Sequence, residues 1–414
     1  MAMDSGQSTS LWWERPDLRY EKKHLTFDDS LLEPLARSMG TPLFIYSSRR
    51  IRHNLERLHT ALGKTGTLFS LFYAMKANRF QPLLTFIKST GLCGIDACSP
   101  EEVFLARACG FQPESISFTA TSLSSQDLDL ILRHDSLIIN CDSISMIRKI
   151  GERCPGREIG IRLNPAMGVG YGEVDLLRYS GDRTTKFGIY REQFDEAVDT
   201  ARAYGLPITR IHFHTGCGYL TSQLETWSRI ITTCLDMAKA LPQLQTVNLG
   251  GGLGLPHTPH DKPLDLEAWA SVIHSHFSGT GIRVELEPGD FIVKDSGILL
   301  LEVNMVEKKQ DRIFVGVNGG FNLAMEPAFY SLPCEPLPCS LSVDKDLAFT
   351  SENMTPVTIA GNINEALDIW AENHLLPPMA EGDILALINA GGYASAMSSN
   401  HCLRGAFREM ILVG

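Results

Sequence analysis

The chain lacks any CxxC pair of cysteines. Its ten cysteines (Cys93, Cys98, Cys109, Cys141, Cys154, Cys217, Cys234, Cys334, Cys339 and Cys402) are scattered singly, which argues against a metal centre or a disulfide framework and fits reduced thiols in a cytoplasmic protein. No run of 18 uncharged apolar residues occurs, and Met1 to Asp17 lack a basic segment followed by an apolar stretch, so neither a membrane span nor a secretion signal is expected. The net charge of −11 is not gathered into blocks of one sign, which argues against nucleic acid or an anionic membrane as the main partner. Internal repeats are absent, and low complexity is confined to the polar N-terminal tail. What remains is a chain of 414 residues, 44% of them hydrophobic, able to bury a large core and suited to small-molecule chemistry.

From about residue 68, short β-branched apolar runs alternate with longer amphipathic stretches, the rhythm of βα units. Eight strands are expected, at Leu68–Lys76, Leu92–Cys98, Ser115–Ala120, Ser136–Ser143, Glu158–Pro165, Ile208–Gly216, Leu244–Gly252 and Ile282–Gly289. Helices are expected between them, among them Pro100–Cys109, Ser125–Arg133, Arg191–Tyr204, Leu224–Ala240 and Leu266–Phe277. This count predicts a (β/α)8 barrel. A doubly wound sheet is the competing architecture, but Gly250-Gly251-Gly252 lacks the GxGxxG spacing of a dinucleotide turn. After Gly289 the helical rhythm gives way to β-like runs at Gly297–Val306, Arg312–Val317, Thr355–Ala360 and Ile384–Asn389, a second, mostly β domain. The expected organisation is a tail over 1–24, a barrel over 42–290, and a β-rich domain from 25–41 plus 291–414.

Barrel chemistry sits at the C-terminal ends of the strands, and Lys76, Asp96, Arg162, His214, Gly250 to Gly252 and Glu287 fall at such ends. Lys76 closes an apolar run, where a lysine either snorkels past the strand terminus or forms an imine with an aldehyde. Pyridoxal phosphate requires such a lysine, an acid facing its ring nitrogen, a flat group on its ring and backbone amides for its phosphate. Lys76, Glu287, His214 and the triple glycine answer these in turn, the glycines being either an anion nest or a tight βα turn.

These residues resemble the alanine-racemase-like barrel group of pyridoxal-phosphate enzymes, and within it the diaminopimelate and ornithine decarboxylases. The likeness is carried by Phe72-Tyr73-Ala74-Met75-Lys76-Ala77-Asn78, Gly94-Ile95-Asp96-Ala97-Cys98-Ser99-Pro100-Glu101-Glu102, His212-Phe213-His214-Thr215-Gly216-Cys217, Asn248-Leu249-Gly250-Gly251-Gly252 and Glu285-Leu286-Glu287-Pro288-Gly289, in the family's order. It continues through Val317-Asn318-Gly319-Gly320-Phe321-Asn322, Pro327-Ala328-Phe329-Tyr330, Gly361-Asn362-Ile363-Asn364-Glu365 and Gly391-Gly392-Tyr393. The resemblance implies a pyridoxal 5'-phosphate-dependent carboxy-lyase of amino-acid metabolism in which the substrate amine displaces Lys76 and the α-carboxylate is lost. It implies that Asp96, Arg162, Cys217, Gly289 and Tyr393 join the cofactor site, with Cys217 and Tyr393 near the phosphate. It also implies a homodimer in which the Asn364–Glu365 segment completes the partner's site, with Lys186 and Asp368 matching a cross-subunit ion pair.

Three departures bear on specificity. Diaminopimelate decarboxylases carry arginines at the positions of Asp290 and Glu326 to hold a distal carboxylate. With two acids there, and Tyr330 and Glu365 nearby in the motif order, a small cationic amino acid or carboxylated polyamine is the expected substrate. Asn364 stands where the family carries a cysteine that protonates the product carbon, so either water, Glu365 or Tyr393 takes that step over, or protonation slows and side outcomes such as transamination or oxidation grow. The segment from Pro165 to Lys186 lacks the family's histidine-containing signature; it is either a loop closing over substrate or a solvated connection. The alternatives are a decarboxylase of an unusual biosynthetic amino acid, a diaminopimelate decarboxylase proper, a racemase, and a cofactor-binding homologue without turnover.

Overall fold

Each of the eight short apolar runs becomes a parallel strand, and the last closes on the first. They are β1 (Phe69–Ala74), β2 (Gly94–Ala97), β3 (Ile116–Ala120), β4 (Ile138–Cys141), β5 (Ile159–Asn164), β6 (Ile208–His212), β7 (Thr246–Asn248) and β8 (Arg283–Leu286). Parallel pairing runs round the ring without a gap, β8 meeting β1 through Val284–Phe69, Glu285–Ser70 and Leu286–Leu71. A two-residue strand at Ile189–Tyr190 adds to β5. The computed structural model describes residues 11–172, 174–179, 181 and 183–414. Residues 1–10 of the expected tail, and Glu173, Ser180 and Asp182 of the Pro165–Lys186 segment, lie outside the described residues.

The helices begin where side chains cap them. Ser99 accepts the N–H of Glu102 ahead of Pro100–Ala108, Ser124 and Asp127 form a reciprocal capping box before Ser125–Ile131, and Asp265 accepts two N–H groups before Leu266–Phe277. Barrel strands are buried on both faces, which is why they read as continuous apolar runs instead of alternating ones.

The chain divides into two units. The barrel unit takes Ile51–Leu255 and Lys262–Ile292; the other takes residues up to Arg50, Pro256–Asp261 and Val293–Gly414. The second unit is built on strands Gly297–Lys309, Arg312–Val317, Thr355–Ala360, Ile369–Leu376, Ile384–Leu387 and Arg408–Leu412, over a core that includes Leu18, Leu25, Phe27, Leu300 and Ala386. Leu43–Ser47 differs from the expected barrel start at 42. It pairs with Gly297–Lys309 and Arg408–Leu412 in the β-rich unit. All five of its residues are buried, so its composition matches a barrel strand and only its pairing tells them apart. The tail expectation also changes, because Leu18–Glu21 and His24–Phe27 form a hairpin whose apolar side chains enter that core. Pro336–Pro338 pairs on one side only, the edge position where a strand tolerates proline.

Candidate active site

Lys76 sits in a 3-10 turn, Met75–Ala77, that follows β1, and its ammonium lies 3.7 Å from the Asp96 carboxylate on β2. Its side chain is 41% exposed while Asp96 is buried, so the amine reaches into the open mouth of the barrel over an acid fixed in the wall. Desolvation opposes the ammonium form of Lys76, but Asp96, ahead of Cys98, Glu287 and Cys217, outweighs it and raises the pKa. Asp96 is pushed well above the usual carboxylate range by burial and then by the charge of Glu287, with Lys76 pulling the other way. The other Asp96 oxygen, Oδ1, is buried with no hydrogen-bond partner among the described residues.

Glu287, immediately after β8, is held by three donors. Ser117 Oγ and Asn248 Nδ2 donate to its Oε1 at 2.9 and 2.7 Å, and His212 Nε2 meets Oε2 at 2.9 Å. Burial alone would raise the Glu287 pKa, but His212, Lys76 and Ser117 together hold it down at about 2. Asn140 Nδ2 donates to Ser117 Oγ at 3.2 Å, which leaves the serine O–H to point at Glu287. The carboxylate is therefore anionic, fixed in rotamer, and retains acceptor capacity on Oε2.

His214 lies two residues past β6 with its ring 5.1 Å from that of Tyr179. Burial, then Lys76 and Arg162, hold its pKa well below the ordinary value. The ring is neutral, Nδ1 accepts the Gly251 N–H at 3.3 Å, and Nε2–H is left toward Cys217 Sγ at 3.8 Å. Arg162 on β5 donates to Asp142 at 2.9 Å and stacks on Phe187 at 4.6 Å. The triple glycine is required by packing. A Cβ on Gly250, at φ +68°, would lie 2.4 Å from the Phe213 carbonyl, and one on Gly251 would lie 2.2 Å from that of Glu287. Of the three amides, those of Gly250 and Gly251 are already given, to Asn248 Oδ1 at 2.9 Å and His214 Nδ1 at 3.3 Å.

Gly289 accepts the Ile292 N–H in the turn that ends the barrel unit, and Asp290 opens the short helix Asp290–Val293. A cleft of about 790 Å³ lies along the Pro165–Lys186 segment, lined by Tyr179, Arg178, Arg183, Lys186, Phe187 and Thr226 among others.

The other expected residues belong to the β-rich unit. Glu326 and Tyr330 begin and end the helix Glu326–Tyr330, and Tyr393 adopts φ +53° after the Gly391–Gly392 turn. Asn364 and Glu365 are exposed, with Glu365 3.3 Å from His401 Nε2. Glu326 was expected to contribute uncompensated negative charge, and here the structure differs. The buried ammonium of Lys294, 2% exposed, lies 2.6 Å from Glu326 Oε2 and offsets it. Asp368 is likewise occupied within its own chain, accepting the N–H groups of Phe321 at 2.7 Å and Ile363 at 2.6 Å.

Sequence reasoning missed Ser117, Asn140, His212 and Asn248 around Glu287, together with Asp142, Tyr179 and Lys294. His212 had a signal: spaced two from His214 in an extended segment, it shares the same side of the strand. Ser117, Asn140 and Asn248 are ordinary polar residues on strands and become visible only when the barrel closes.

Comparison with known proteins agrees with this geometry. Residues 48–294 match the family model described as pyridoxal-dependent decarboxylase, pyridoxal binding domain. The diaminopimelate decarboxylase of Methanothermobacter thermautotrophicus is 34% identical over 96% of this chain and 92% of its own length. That of Streptomyces coelicolor is 29% identical over 94% of this chain and 88% of its own. The fold matches the diaminopimelate decarboxylase of M. jannaschii in complex with L-lysine, with a TM-score of 0.84, 23% identity, and 96% and 93% of the two chains covered. The lysine, the fixed anionic acid, the neutral histidine and the glycine turns fit pyridoxal 5'-phosphate, and the chain belongs to the pyridoxal-dependent decarboxylases.

Proposed function

We propose that this decarboxylase removes the α-carboxylate of a small amino acid with a cationic side chain, acting in the cytoplasm as a homodimer. The observation that carries the reading is the Lys76 ammonium 3.7 Å from Asp96 in a barrel mouth where Glu287 is held anionic by three donors. Asp290, directly after Glu287-Pro288-Gly289, supports a cationic substrate by its charge. A similar fold with 16% identity and a TM-score of 0.79 belongs to a Paramecium bursaria Chlorella virus arginine decarboxylase bound to agmatine. Diaminopimelate, named in the relatives, is the second reading. Lys294 favours it, because its pairing with Glu326 removes half of the charge argument against a distal carboxylate.

When bound, pyridoxal 5'-phosphate supplies an aldehyde for an amine and a protonated ring that accepts the electron pair left by the departing carboxylate. Lys76 would hold the aldehyde, and Asp96, 3.7 Å from its Nζ, would orient that amine. Glu287 would hold the proton at the ring nitrogen, neutral His214 would cover the ring face, and the Gly250–Gly252 turn with Cys217, Gly289 and Tyr393 would hold the phosphate. Arg162 acts behind this layer, braced by Asp142 and Phe187. Asn364 has no transferable proton, so Glu365, hydrogen-bonded to His401, is the proposed proton source, and Tyr330 is proposed as a substrate contact. Exposed Phe329, Leu367 and Leu403 on the β-rich unit support an apolar dimer contact through which the Asn364–Glu365 segment serves a second copy.

The test is carbon dioxide release by the pyridoxal-phosphate-loaded protein from lysine, ornithine, arginine, carboxynorspermidine and meso-diaminopimelate, with Lys76→Ala as control. Release from a cationic substrate alone, lost in the control, supports the first reading, and release from meso-diaminopimelate alone replaces it with the second. Sedimentation velocity of the loaded protein tests the dimer, and a monomer that remains fully active would refute the shared site.

A further inference from the structure

Asn248, the last residue of β7, is fully buried and its amide works in two directions. Nδ2 donates to Glu287 Oε1 at 2.7 Å, and Oδ1 accepts the Gly250 N–H at 2.9 Å. One end fixes the acid assigned to the ring nitrogen, and the other pins the first glycine of the turn assigned to the phosphate. We propose that Asn248 is a positioning residue that gauges the separation of the cofactor's two polar ends by tying Glu287 to the Gly250 turn. The proposal rests on the cofactor roles given above to Glu287 and the triple glycine.

Two features make the side chain more than a redundant brace. The Glu287 N–H donates to the Gly250 carbonyl at 2.8 Å, so the backbone already fixes how the two segments run past each other. It leaves undetermined the rotamer of the Glu287 carboxylate and the direction of the Gly250 amide, and Asn248 bonds both, sharing the carboxylate with Ser117 and His212. Ser117 supplies a comparison, since it donates to the same Glu287 oxygen at 2.9 Å and touches nothing in the glycine turn. An asparagine suits this post because a single planar group carries a donor and an acceptor. Aspartate in its place would keep the acceptor for Gly250 and set a second anionic oxygen against Glu287.

The experiment titrates the full-length apoprotein with pyridoxal 5'-phosphate and, separately, with phosphate-free pyridoxal, following imine absorbance at Lys76. The ratio of the two affinities reports the phosphate turn, and their common level reports Glu287. Ser117→Ala is expected to weaken both ligands alike and leave the ratio unchanged. Asn248→Ala is expected to weaken both and also to lower the ratio about fivefold, the loss of one ordinary hydrogen bond. Asn248→Asp, nearly isosteric and usable where the alanine variant does not fold, should weaken both while keeping the ratio. An Asn248→Ala ratio equal to that of the unaltered protein would overturn the proposal, as would an Asn248→Asp protein that binds both ligands normally. Failure of the unaltered protein to bind either ligand would overturn the cofactor reading with it, whereas normal binding with an unmoved ratio removes only the role of Asn248.

Discussion

Removing the Lys294 ammonium should unseat the β-rich unit more than removing its partner. Lys294 is 2% exposed and Glu326 14%, with 2.6 Å between their charged atoms. Lys294→Met removes the cation 2.6 Å from the Glu326 carboxylate, and breaking a buried ion pair from one side costs about 3–5 kcal/mol. The remaining exposure of Glu326 lets some water reach it, which places the cost near about 3 kcal/mol. For a unit of this size that is a fall in melting temperature of about 6–12 °C. Lys294→Met/Glu326→Gln removes both charges and should recover most of the loss, because a matched neutral pair leaves no ion to desolvate. His257 gives a second readout. Its pKa is lowered to about 3 by burial first and by Lys294 second, so deleting the cation should move its titration upward in an NMR experiment. Calorimetry on the single and double variants decides the matter. A Lys294→Met protein within 2 °C of the unaltered one, or a double variant no better than the single, would show that the pair does not stabilise this unit; Glu326 would then regain its candidacy as a receptor for a substrate cation.

Three further outcomes follow from the barrel. Gly250→Ala should abolish pyridoxal-phosphate binding, because its Cβ would meet the Phe213 carbonyl at 2.4 Å from a left-handed backbone; an absorbance titration checks it. Glu287, held at about 2 against an ordinary 4.5, stabilises the fold fully above the unfolded value and loses that contribution as pH falls toward 2. Urea unfolding between pH 5 and pH 2 should therefore decline less steeply in Glu287→Gln than in the unaltered protein, and parallel declines would contradict the assignment. Arg162→Lys keeps the charge near Asp142 but loses the flat stack on Phe187, and should cost about 1 kcal/mol in thermal unfolding of the apoprotein.

The barrel was legible because its strands are short apolar runs alternating with longer amphipathic stretches. Leu43–Ser47 was not, since a fully buried strand carries no label saying which sheet it joins. Lys76 and Glu287 were legible as charged residues terminating apolar runs. Their supports were not: Ser117 on β3, Asn140 on β4 and Asn248 on β7 converge on Glu287 only through strand pairing. The charge of Glu326 was misjudged for the same reason, because its compensating cation precedes it by a whole strand and is invisible to any local pattern.

The closure of β8 on β1 has a consequence for how the protein comes into being. Lys76 follows the first strand and Glu287 the last, so they become neighbours only when Leu286 registers against Leu71. During synthesis the lysine emerges long before Glu287, and completion of the eighth strand is the event that brings its amine under the charge of that carboxylate.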